Sequence, residues 1–281
     1  MRRLLRRLFW FSLLLLVLFV APVVLLRWLP APTSAFMLAS DTKPVRYQWV
    51  AASEIADTAR RAVVASEDQK FFEHQGFDIE AMQKAYANNQ KKGRRVRGAS
   101  TISQQTAKNL FLWSGGGYFR KGLEAIYTVL IEALWPKQRI LTMYLNIAEF
   151  GPGIYGVEAA SQAFFKKPAA RLSAPEAARL AAVLPSPRRW NAAKPGPYVQ
   201  KRSQWILRQM GAGPRSVPVE EPEPPADSVN DDEAAEAINP LAEQALKQQL
   251  QQEPMPEAPA AAAGSPAPEA EPDAAAPITQ P

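Results

Sequence analysis

The chain has 281 residues, 47% hydrophobic and 21% charged, a length that admits one sizeable domain with accessory segments at roughly 100–200 residues per domain. It contains no cysteine and one histidine, His74. This excludes disulfide scaffolds, thiolate metal sites, iron–sulfur clusters and multi-histidine centres, and makes any Ser-His-Asp triad depend on His74. The net charge of +6 conceals an asymmetry: residues 213–281 carry fourteen acids and two bases, whereas residues 1–212 carry 31 Lys and Arg against 13 Asp and Glu, a basic body suited to nucleic acid, anionic lipid or phosphorylated substrate.

Residues 8–26 are uncharged and lie between Arg7 and Arg27. At 1.5 Å per residue they reach roughly 28 Å, enough for a bilayer core. Arg2, Arg3, Arg6 and Arg7 precede them, which by the positive-inside rule sets the N-terminus in the cytoplasm and the remainder outside. A cleaved signal peptide is the rival, but its apolar region is overlong and no A-x-A site precedes Pro32. The reading is an uncleaved single-pass anchor, which demotes nucleic acid as a partner. Four parts follow: 1–29 basic N-terminus and anchor, 30–44 linker, 45–212 the main domain, and 213–281 tail.

From about 45 to 211 the pattern is helix after helix. Ser53 is positioned to cap a segment whose Ile55, Ala56, Ala59, Ala62, Val63 and Ser66 recur at helical spacing. Asp78 opens a helix toward Asn89, and Lys91–Gly98 reads as a basic loop. Ser100 or Thr101 caps a helix toward Leu112, after which 115–117 are all glycine. Helices are predicted over 118–134, 137–148 and 197–210. Ser173-x-x-Glu176 is a capping box opening another, toward Pro185. Beyond 213, fourteen prolines in 69 residues with few aromatics predict a disordered acidic tail that does not dock into the main domain.

Carboxylates are scarce in the basic body, so those in apolar helical settings carry information. Glu67 follows an apolar helix face and precedes Phe71 and Phe72, a setting that raises a carboxyl pKa toward general acid/base use; the plain alternative is a solvated helix end. Glu124 shares a helical face with Arg120 and Lys121, either as a surface ion pair or inside a phosphate-binding cluster. Ser100, Gln104 and Lys108 fall at i, i+4 and i+8, with Gln105 and Asn109 extending the polar stripe. The start of that helix offers N–H groups to an anion.

Five ordered motifs carry a resemblance. Glu67-Asp-x-x-Phe71-x-x-His74-x-Gly76, Gly98-Ala-Ser-Thr-Ile-Ser-Gln-Gln-x-x-Lys108-Asn109, Arg120-Lys121-x-x-Glu124, Arg139-Ile-Leu-x-x-Tyr144-Leu-Asn146 and Gly151-x-Gly153-Ile-Tyr-Gly156-Val-Glu158 are similar to those of the peptidoglycan glycosyltransferases. The anchor followed directly by this domain resembles their monofunctional form. The resemblance implies a mainly α, lysozyme-like, two-lobed fold behind the transmembrane helix, with one apolar lobe dipping into the membrane. It implies an inverting enzyme of the bacterial inner membrane, its catalytic domain periplasmic, that polymerises lipid II into β-1,4-linked peptidoglycan and releases undecaprenyl pyrophosphate. Glu67 then matches the general base and Glu124 a second essential acid. Lys108, Arg120 and Lys121 match pyrophosphate-holding cations, while Ser100, Gln104, Gln105 and Asn109 match the lining of the cleft. His74 is expected to be structural.

The resemblance requires no cofactor; magnesium or manganese near the pyrophosphate is the one metal it leaves room for. Its implied partners are lipid II, the lipid-linked strand, the inner membrane, and other cell-wall synthesis or division proteins, with no nucleic acid. One departure is the loop from Trp113 to Tyr118, which lacks an arginine common in the family; Arg94, Arg95 or Arg97 are candidates to replace it. Rival readings are a lysozyme-like hydrolase or lytic transglycosylase, which has no pyrophosphate to hold, and an anchored scaffold for which Glu67 is dispensable. No K-T-G occurs, which disfavours a penicillin-binding transpeptidase.

Overall fold

Ten α-helices, two 3₁₀ turns and three short strands build the described residues (2–89, 99–115, 117–211, 221–223 and 225) of the computed structural model. Helix α1 (Arg2–Leu25) is, among the described residues, the one helix long and apolar enough to cross a membrane. Most of its length is exposed, yet its C-terminal end joins the domain. Phe19 stacks on Tyr127 at 4.2 Å between ring centres. Trp135 Nε1 donates to the Val23 carbonyl at 2.8 Å, and Arg139 Nη2 donates to Leu26 O at 2.8 Å. Carbonyls left unpaired at a helix end need such donors when they are buried.

The domain follows as α2 (Ala35–Leu38), β1 (Arg46–Tyr47), α3 (Asp57–Glu67), α4 (Ile79–Asn89), α5 (Ile102–Phe111), α6 (Gly117–Leu134), α7 (Lys137–Ile147), β2 (Glu149–Gly151), β3 (Ile154–Tyr155), α8 (Val157–Phe165), α9 (Ala174–Val183) and α10 (Pro197–Gln209). Helix α3 buries Ala59, Ala62, Val63 and Ala65. These small residues let it lie closely against α9 and α10, while α5 packs on both α6 and α7. In the small sheet β1 runs parallel to β3, and β2 runs antiparallel to β3.

Asn146 ties α7 to the segment just after β1. Its Oδ1 accepts from Val50 N–H at 2.9 Å, and its Nδ2 donates to Val50 O at 3.0 Å and Thr142 O at 2.9 Å. All three of its amide contacts are therefore backbone groups, which makes this motif residue architectural. Gly156 closes the same corner at φ +84°, where an added Cβ would stand 2.5 Å from Asn146 O. A side chain there is excluded both by the backbone conformation and by contact with a carbonyl.

The helical expectation is met, and the Ser173–Glu176 capping box is present at α9. Thr101, not Ser100, caps α5, so Ser100 stands outside the helix and the polar stripe begins at Gln104. Ser53 does not cap α3. It lies in the 3₁₀ turn Ala52–Glu54, where Glu54 Oε2 accepts Ala51 N–H, Ile55 is extended, and α3 starts only at Asp57. The basic loop Lys91–Gly98, including Arg94, Arg95 and Arg97, lies outside the described residues, as does the tail apart from 221–223 and Pro225.

Candidate active site

The site begins with two consecutive carboxylates that have different tasks. Glu67 ends α3, and Asp68 follows in an extended conformation that turns its side chain elsewhere. The Asp68 side chain is 2% exposed and binds His74 Nε2 at 2.9 Å. Its Oδ2 also accepts Ile102 N–H at 3.0 Å. His74 Nδ1 accepts Gly76 N–H at 3.1 Å, so its proton sits on Nε2 and is donated to Asp68. Desolvation raises the Asp68 pKa, opposed by the His74 contact and the Ile102 N–H. His74 and Asp68 together fix the start of α5 relative to the end of α3.

That arrangement corrects one expectation. At the start of α5, Ile102 N–H is taken by Asp68, and Gln104 N–H by Thr101 Oγ1. These donors are closed by capping groups rather than offered to an anion, because a buried helix end must satisfy its own N–H groups. Gln104 Oε1 in turn accepts Thr101 N–H at 3.0 Å. Gln104 is thereby engaged in the capping box, and its neighbour makes the contact with Glu67.

Gln105 Nε2 donates to Glu67 Oε2 at 3.1 Å, and Tyr144 OH donates to Gln105 Oε1 at 2.9 Å. On the other side, Arg202 Nη2 of α10 stands 3.7 Å from Glu67 Oε1. The Glu67 side chain is 10% exposed. Desolvation raises its pKa; Arg202 and Gln105 oppose the rise, and Glu221 adds to it. A carboxylate so held is oriented, and its raised proton affinity suits it to act as a proton acceptor.

Glu124, on α6, is 1% exposed. Arg120 Nη1 reaches its Oε2 at 2.9 Å, and Lys121 Nζ its Oε1 at 2.6 Å. This is a buried triad rather than a surface pair, and it carries one net positive charge. Lys108 and Asn109 are half-buried on α5, the neighbouring helix, and Ser100 is half-buried just before it. The structure therefore brings Gln105 to Glu67 and gathers Arg120 and Lys121 on Glu124. A cavity of about 580 Å³ beside α3, lined by Arg60, Arg61, Gln69 and Phe72 among others, includes neither acid.

A family model described as Transglycosylase matches residues 35–211. The chain belongs to the transglycosylase family. It is similar to a biosynthetic peptidoglycan transglycosylase of Pasteurella multocida, 54% identical over 207 residues that cover 70% of this chain and 84% of that one. A protein of the same name from Pseudomonas aeruginosa is 50% identical over 218 residues, 75% of this chain and 94% of the relative. Another from Cronobacter sakazakii is 56% identical over 200 residues, 68% and 83% respectively.

As a transglycosylase the chain is an enzyme of glycosyl transfer, and its motifs divide between chemistry and scaffold. Tyr144, Asn146 and Gly156 hold other residues in position. Arg202 and Tyr198 were missed by the motif reading, although Arg202 reaches Glu67. A helical arginine on a mixed polar face carries no local signal of that contact, since α10 arrives from far along the chain. From beyond α10, Glu221 Oε1 accepts from Arg202 Nη1 beside Glu67. A largely buried guanidinium attracts any carboxylate within reach.

Proposed function

We propose that this transglycosylase polymerises lipid II into β-1,4-linked peptidoglycan strands with inversion at the anomeric carbon, releasing undecaprenyl pyrophosphate. Glu67 takes the proton from the acceptor GlcNAc 4-hydroxyl as that oxygen attacks C1 of the donor MurNAc. The C1–O bond to phosphate breaks, and its electron pair leaves with the pyrophosphate. Lys108, Arg120 and Lys121 hold the pyrophosphates, with Glu124 orienting the last two; fixed cations of this kind act most strongly where charge gathers in the transition state. Ser100, Gln104, Gln105 and Asn109 are assigned to the cleft lining, with Gln105 also orienting the base.

The observation that carries this reading is the buried Glu67 carboxylate, held by Gln105 and Arg202 in a chain whose relatives are biosynthetic peptidoglycan transglycosylases. The cations on α5 and α6 favour a polymerase over a hydrolase. Among the described residues no three His, Asp or Glu side chains come together. Glu124 already faces two cations, so these donors do not fit a protein-held divalent ion. The α1 helix and the exposed Phe119, Ile126 and Val129 of α6, which packs against it, support an inner-membrane anchor with the catalytic domain in the periplasm. The acidic tail is a candidate contact for other cell-wall synthesis or division proteins.

Purified lipid II decides the matter. The wild type should form long glycan with release of the lipid pyrophosphate, and Glu67→Gln should lose about 10²–10⁴-fold in rate. Soluble muropeptides released from intact cell wall, with no polymer from lipid II, would instead establish a hydrolase.

A further inference from the structure

Arg202 occupies a position that the reaction scheme above leaves unused. Its side chain is 6% exposed, and four groups share its guanidinium. Nη2 faces Glu67 Oε1 at 3.7 Å and donates to Ser66 O at 3.4 Å; Nη1 approaches Tyr198 OH at 3.5 Å and donates to Glu221 Oε1. Among the described residues its buried Nε has no hydrogen-bond partner, so the two terminal nitrogens make its polar contacts. Glu221 comes from beyond residue 211, where the family match stops, and its side chain is 32% exposed.

We propose that Arg202 is the positioning residue of the Glu67 base, and that Glu221 from the acidic tail competes with Glu67 for the same guanidinium. The proposal rests on the reading of Glu67 as general base. The titratable and charged groups that face Glu67 are Arg202 and Tyr198 of α10 and Glu221 of the tail; Gln105 of α5 and Ser66 of α3 add uncharged contacts. Helix α9 also packs on α3, and its charged groups Glu176 and Arg179 meet Lys167 and the Phe165 ring. A full positive charge beside a carboxylate favours the ionised, proton-accepting form. When Glu221 neutralises that charge and adds its own, ionised Glu67 loses support and more of it stays protonated at a given pH. The tail carboxylate thereby restrains the base, and its withdrawal releases it. Glu221 is the more exposed partner, so salt or a basic surface that attracts the tail would remove it first.

The test uses the full-length chain and the pH dependence of kcat/KM on lipid II, together with a direct ¹³C titration of the Glu67 carboxyl. Glu221→Gln should move the acid limb and the titration down by up to about one pH unit. Arg202→Gln should move both up by about one to three units, and Arg202→Lys should recover part of that shift. A purely structural arginine would alter thermal stability and leave the acid limb in place. If Arg202→Gln does not fold, Arg202→Lys and Glu221→Gln still decide the question. Unchanged titration in folded Arg202 variants overturns the positioning role, and an unchanged limb in Glu221→Gln overturns the competition. If lipid II is not polymerised even by the wild type, the general-base reading fails, while the carboxyl titration still tells whether Arg202 and Glu221 act on Glu67.

Discussion

Gln105 and Glu67 meet through a single amide hydrogen bond of 3.1 Å, and the same amide is fixed from behind by the phenol of Tyr144 at 2.9 Å. The carboxylate at the end of α3 is thus oriented by α5, which is oriented by α7. Tyr144→Phe removes the rear contact while keeping the ring volume. Turnover on lipid II should fall by about two- to ten-fold with KM little changed, the scale of one neutral hydrogen bond. Wild-type kcat in this variant would deny the relay a part in orienting the base.

Glu67 itself opposes stability. Its folded-state pKa is raised by burial, so the folded protein binds that proton more tightly than the unfolded chain. Its contribution is then full below the ordinary glutamate pKa of about 4.3 and is lost as pH rises through the folded value. Glu67→Gln should therefore raise Tm at pH 7, by about 2–4 °C for each kcal/mol relieved, and change it little near pH 4. Calorimetry at both values checks the sign, and a lower Tm at pH 7 would contradict it.

The Glu124 triad is expected to behave in the opposite way. Arg120 and Glu124 are both buried, at 5% and 1% side-chain exposure. Arg120→Ala leaves the buried carboxylate facing Lys121 without its more deeply buried partner, so it should cost about 3 kcal/mol of stability as well as activity. Denaturant unfolding measures the loss directly. Lys121→Ala leaves Arg120 in place and should unfold closer to wild type.

Lys108→Ala and Lys121→Ala distinguish polymerase from hydrolase. Each should lower turnover on lipid II by roughly ten- to a hundred-fold, because charge-assisted contacts contribute about 1.5–3 kcal/mol and strengthen as the pyrophosphate departs. A hydrolase acting on neutral glycan would be indifferent to both.

Asn146→Ala should destabilise the domain without touching the chemistry. It removes three contacts to buried backbone at Val50 and Thr142, leaving groups that no water reaches. A loss of about 2–4 kcal/mol is expected in denaturant titration, with residual folded enzyme retaining wild-type kcat.

The sequence by itself determined the helical class, the apolar N-terminal helix and most helix boundaries, which are local properties of apolar spacing and capping residues. Glu67 and Glu124 stand out only through motifs that resemble the family's, since the residues alone also fit a solvated helix end and a surface ion pair. Ser53 lies in a 3₁₀ turn rather than at a cap, two settings that carry the same residue types. Tertiary structure alone decided how the acids are held. Asp68 closes α5 from 34 residues away, Gln105 reaches Glu67 across 38, and Arg202 meets the end of α3 across 136. No local pattern encodes such pairings. They arise when packing of α3 on α10, and of α5 on α7, brings buried polar groups together and each must find a partner.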